Sequence, residues 1–98
     1  MANDSNENEK RIHAYVSGKV QGVFFRDTTR RKAMEFGVTG WVKNLPDGRV
    51  EVVAEGTEDG VDKLEQFLHE GSRGARVEEV ELDEEDPKNE FNTFKITY

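Results

Sequence analysis

Apolar residues return along this chain at two spacings. Ile12, Ala14 and Val16 alternate with His13, Tyr15 and Ser17, which predicts a strand with one buried face. A glycine-punctuated loop, Gly18 to Phe25, follows. The spacing then lengthens: Thr29, Ala33 and Phe36 fall on one side of a helix expected from about Arg26 to Phe36, and Gly37 stands where a left-handed helix end belongs. Val38 to Asn44 reads as a second strand, with Gly40 marking a bulge or a close approach of backbones. Leu45-Pro46-Asp47-Gly48 is a turn, because Pro fixes φ and Gly accepts positive φ. Val50 to Ala54 returns as the other half of a hairpin. Thr57 is a natural N-cap for a second helix striped by Val61, Leu64, Phe67 and Leu68 and closed by Gly71. Val77, Val80 and Leu82 mark a less regular fourth strand, and Asp83 to Asn89 an acidic loop. Phe94, Ile96 and Tyr98 alternate in a last strand.

The order β-α-β-β-α-β with an extra C-terminal strand predicts an α+β fold. It is the split βαβ, ferredoxin-like sandwich, an antiparallel sheet with two helices on one face. That architecture hosts many unrelated activities, so function has to come from particular residues. The 98 residues, of which 34% are hydrophobic, suffice for one domain with a modest core. Residues 1–10 are polar and read as a disordered tail, leaving 11–98 as the domain. No stretch approaches the roughly 20 apolar residues that span a bilayer, and the N-terminus has no apolar signal region. The chain has no cysteine, which excludes thiol catalysis, disulfides and thiolate metal sites. A cytoplasmic protein is expected, with no membrane partner.

Net charge refines this picture. At −7 the balance argues against a nucleic-acid partner, whose binding face would be rich in Lys and Arg. The acidity suits a salty cytoplasm and ordinary solubility equally well. An anionic ligand would need a locally positive site, which draws attention to Arg26, Arg30, Arg31 and Lys32. The two histidines do not form a metal-ligand pattern, and Asp83 to Asp86 lacks the spacing of a calcium loop. No metal is expected.

The loop itself carries the strongest chemistry. Gly18, Lys19, Val20, Gln21, Gly22, Val23, Phe24 and Phe25 run into Arg26 at the start of a helix. Glycines let several backbone N–H groups turn toward one anion, the helix N-terminus adds positive potential, and a guanidinium grips two oxygens at once. Val20, Val23 and one of Phe24 or Phe25 should anchor the loop in the core. A plain β-to-α turn with a surface arginine is the competing reading. Asn44, likewise, reads equally as a residue capping the turn before Pro46. Trp41 reads as packing, and Thr29 as packing or bonding back within its helix.

Two segments resemble the signatures of one family. Val16 to Arg26 matches Val-x-Gly-x-Val-Gln-Gly-Val-x-Phe-Arg. Gly40 to Gly56 matches Gly-aromatic-small-basic-Asn, three residues, Gly-x-Val, five residues, Gly. Together they are similar to the acylphosphatase family over Arg11 to Tyr98. The resemblance implies metal-free, cofactor-free hydrolysis of the carboxyl–phosphate bond of a small acyl phosphate. It puts the phosphate-binding role on Arg26 and the water-positioning role on Asn44. It also implies that the Tyr98 carboxylate could lie near Arg26. A monomer is expected. Two alternatives share the fold: a domain like that of the carbamoyltransferase of hydrogenase maturation, and an RNA-binding module, which the acidic balance disfavours.

Overall fold

The computed structural model describes residues 9–98. The expected tail therefore lies, for residues 1–8, outside the described residues, while Glu9 and Lys10 already stand in the first strand. Seven elements follow one another: β1 (Glu9–Lys19), α1 (Phe25–Glu35), β2 (Thr39–Asn44), β3 (Val50–Thr57), α2 (Glu58–Glu70), β4 (Arg76–Glu85) and β5 (Phe94–Ile96). The sheet order is β4-β1-β3-β2-β5. It is antiparallel except at one edge, where β5 lies parallel to β2 with Gly40 opposite Phe94 and Val42 opposite Ile96.

The period-two alternation decides the faces. Ile12, Ala14, Val16, Val42, Val50, Val52 and Ala54 point to the helices and form one core with Phe25, Ala33, Val61, Leu64 and Leu68. Arg11, His13, Tyr15, Glu51, Glu55, Trp41 and Lys43 alternate with them and face the other way. The N-cap expectation for α2 holds, since Thr57 Oγ1 accepts from Gly60 N at 3.1 Å. Gly37 ends α1 with φ of 72°. Gly40 has φ of 140°, and a Cβ there would sit 1.9 Å from the Val53 carbonyl oxygen, so the close backbone approach is real.

Strand boundaries differ from the sequence reading: β3 continues past Ala54 to Thr57, and β5 ends at Ile96, before Tyr98. β1 runs on through Gly18 and Lys19, because a register shift after Ser17 lets them pair with Val77 and Arg76 of β4. Gly18 permits it, as any Cβ would meet the Arg76 carbonyl at 2.1 Å. The acidic loop starts later than Asp83, because Asp83, Glu84 and Glu85 pair with His13, Ile12 and Arg11.

The segment from 86 to 93 must carry the chain from one sheet edge to the other, and it crosses the face opposite the helices. Glu55 Oε2 accepts from Lys88 N at 3.0 Å and Asn89 N at 2.7 Å. Arg11, 7% exposed, bridges Glu55 (3.2 Å), Glu85 (2.9 Å) and Glu90 (2.8 Å) and stacks against Phe91 at 5.1 Å. Gly40 N then donates to Thr93 O at 3.0 Å. This strap sets down β5 beside β2 and so delivers Ile96 and Tyr98 to the end of the sheet where β1 meets α1.

Candidate active site

The loop from β1 to α1 is short and held from three sides. Gln21 Nε2 donates to Leu45 O at 2.8 Å and Arg49 O at 2.9 Å, tying the loop to the β2–β3 turn. Ser72 Oγ donates to Val23 O at 2.8 Å. Phe25 is buried against Phe67 with ring centroids 5.7 Å apart. Phe24 by contrast is 81% exposed. The sequence left open which of the two phenylalanines anchors the loop; Phe25 does. The reason is backbone: Phe24 adopts φ of 59° as the residue before α1, which turns its side chain outward.

Gly22 also has positive φ, 76°. Among the described residues, the backbone N–H groups of Gln21, Gly22, Val23 and Phe24 make no hydrogen bond to another backbone group outside helices and strands. The first N–H groups of α1 are unpaired by the geometry of any helix start. Donors and helix potential thus share one place.

Around them lies an open pocket of about 250 Å³, lined by Val20, Gly22, Phe24, Phe25, Arg26, Asp27, Asn44, Ile96 and Tyr98. Of the candidate residues, Arg26, Asn44, Val20, Gly22, Phe24 and Phe25 meet there. Gly18 and Lys19 belong to β1, Gln21 serves as the tie to the turn, and Val23 packs on the core. Arg26 has no carboxylate within 4.0 Å among the described residues; Asp27 beside it is taken by Arg31 at 3.3 Å. The Arg26 guanidinium instead lies 5.3 Å from the Tyr98 ring centroid, a cation–π contact. Tyr98 therefore does stand beside Arg26, and the contact shown is through its ring. Asn44 Oδ1 is buried with no hydrogen-bond partner among the described residues. A buried amide oxygen without a donor is costly and therefore uncommon, which points to a ligand or water as its partner.

Three neighbours behave as ordinary structure. Thr29 Oγ1 bonds back to Phe25 O at 2.7 Å. Trp41 packs on the open face beside His13. His13 bridges Glu51 at 2.6 Å and Glu85 at 3.3 Å, a cross-strand cluster that only the register could reveal. Sequence reasoning missed the Gln21 tie and the Ile96 wall. The first depends on where the β2–β3 turn lies in space, the second on the parallel placement of β5.

Comparison with known proteins matches the chain and its fold to a family. Residues 12–96 match the acylphosphatase family profile. An acylphosphatase of Rubrobacter xylanophilus is 53% identical over 93 residues, 95% of this chain and 84% of that protein. One from Haloarcula marismortui is 54% identical over 78 residues, 80% of this chain and 86% of the relative. The solved structure of an acylphosphatase from Coxiella burnetii superposes with a TM-score of 0.89 at 44% identity, covering 98% of this chain and all of the other. With two signature segments, the fold and a full-length match in agreement, the chain belongs to the acylphosphatase family and has its activity, the hydrolysis of acyl phosphates.

Proposed function

We propose that Arg26 and the N–H groups of the β1–α1 loop grip the phosphoryl oxygens while Asn44 holds the attacking water. The observation that carries this reading is that Asn44, whose buried Oδ1 has no hydrogen-bond partner among the described residues, lines the same pocket as an Arg26 without a carboxylate partner. Asn44 is no base. Its amide oxygen accepts a hydrogen bond from a water and so fixes where the oxygen lone pair points. In the step itself the water oxygen bonds phosphorus, the bond from phosphorus to the acyl oxygen breaks, and the carboxylate leaves with that electron pair. A carboxylate is a good leaving group, so little acid assistance is needed. The water proton passes to a phosphate oxygen. Phosphoryl transfer of this kind spreads negative charge over the equatorial oxygens, and catalysis is mostly positioning and charge stabilisation. The planar fork of Arg26 and the converging N–H groups answer that charge.

Phe24 and Tyr98 give the acyl group an apolar flank at the pocket mouth. The reading extends to a cytoplasmic monomer acting on a free small molecule without metal or cofactor, in keeping with an acidic chain of one domain. The test is release of phosphate from benzoyl phosphate in the presence of a chelator. The native chain is expected to turn over fully, and Arg26→Ala and Asn44→Ala to lose about 10²- to 10³-fold in kcat/KM. Loss of native activity on adding the chelator, or a pH–rate profile demanding an enzyme base near neutrality, would count against it.

A further inference from the structure

A second groove lies outside the catalytic pocket. It occupies about 440 Å³ at the β2–β5 edge, on the face opposite the helices, with Trp41, Lys43, Phe91, Lys95 and Thr97 in its walls. Successive strand residues point to opposite faces, so Lys43 opens on this groove and Asn44 on the catalytic pocket. Trp41 stands opposite Lys95 in the register, and Lys43 follows two residues on, so the two lysines are diagonal neighbours on one face. Among the described residues neither has a carboxylate within 4.0 Å, although the chain carries 21 acidic residues. The one carboxylate in the groove wall, Glu90, already bridges Arg11 at 2.8 Å. Lys43 Nζ lies 5.9 Å from the centre of the Trp41 ring. Two neighbouring lysines outside any ion pair among the described residues stand beside a half-buried indole and can close on one anionic group, although Glu51 lies opposite Lys43 in the register and Glu90 shares Arg11 with Glu55 and Glu85. The volume falls in the range of about 300–1,000 Å³ typical of small-molecule sites.

We propose that this groove is a second ligand site, distinct from the phosphatase site, for a small aromatic anion: a flat ring bearing one phosphate or carboxylate. The lysines take the anionic group, and Trp41 takes the ring by stacking.

Trp41 is the only tryptophan in the chain, so its fluorescence reports on the groove directly. AMP is titrated as the probe, with adenosine and inorganic phosphate as controls, against the native chain, Lys43→Gln/Lys95→Gln, Lys95→Gln and Arg26→Ala. The expected result is a saturable change with AMP, with binding about tenfold tighter than that of either control, weakened about tenfold in the double variant and unaltered by Arg26→Ala. Absence of a saturable change overturns the proposal. So does equal binding of phosphate alone, undiminished binding by the double variant, or loss in Arg26→Ala, which would place AMP in the catalytic pocket. Should the double variant fail to fold, Lys95→Gln, on an exposed side chain, must weaken AMP by about threefold or the proposal falls.

Discussion

Arg26 combines a fixed charge with a geometry that lysine cannot copy. Its fork spans two oxygens, its ring contact with Tyr98 limits the directions it can take, and no carboxylate competes for it among the described residues. Arg26→Lys keeps the charge and loses the fork. Its kcat/KM for an acyl phosphate is expected to fall by about 10²-fold, most of it in kcat if the fork tightens on the transition state. An effect confined to KM would assign Arg26 to ground-state binding alone. At this scale the sequence was informative about which residues meet: an arginine ending a glycine loop and an asparagine ending a strand line one pocket. What it could not show was direction. Two adjacent phenylalanines are indistinguishable until the positive φ of Phe24 sends one outward and leaves Phe25 in the core. Gln21 looked like one more loop residue, yet its side chain joins that loop to the turn beyond Asn44. That bond ties together the two segments that carry Arg26 and Asn44.

The elements hold these residues through a few close approaches. Gly40 lets β2 lie against β3 just four residues before Asn44, with the Val53 carbonyl where a side chain would have to be. Gly40→Ala combines that clash with a strained φ and is expected to cost about 3 kcal/mol or more of stability, read as a lowered urea midpoint. Unchanged stability would mean that the strand pair relaxes freely, contrary to its buried position. The hairpin, both helices and the Thr57 cap were legible because local patterns specify them. β5 was legible as a strand but not in its direction. Its alternation says that one face is buried, whereas its parallel pairing follows from the strap that carries the chain across the sheet. The extension of β1 and β4 was hidden for the same reason, since pairing partners far apart in sequence decide where a strand stops.

The whole molecule depends on a charged cluster that no local pattern announced. Arg11 and Glu55 are 7% and 3% exposed, and they fasten the strap together with Glu85 and Glu90. Breaking such a buried pair from one side leaves an uncompensated charge, so Arg11→Ala is expected to lose about 3–5 kcal/mol. A loss below about 1 kcal/mol in thermal or urea unfolding would show the cluster to be ordinary surface charge. The same cluster sets a pH dependence. The hydrogen bond from Arg11 holds the Glu85 carboxyl below its ordinary range, with His13 acting in the same direction and burial opposing. A carboxyl depressed in the folded state stabilises it when ionised. That contribution is complete above the unfolded pKa, near about 4, and is lost as pH falls through the lower folded value. Glu85→Gln should therefore narrow the gap to the native melting temperature as the solution is acidified below about pH 4. A gap that stays constant would remove Glu85 from the acid response.

The central claim is that Asn44 orients water and does not hold the phosphoryl group. The most direct measurement is binding of inorganic phosphate to Asn44→Ala by calorimetry, alongside its turnover of benzoyl phosphate. The account predicts phosphate affinity within about twofold of the native chain with turnover reduced about 10²-fold or more. A parallel loss of binding and turnover would contradict it and make Asn44 part of the phosphate cradle.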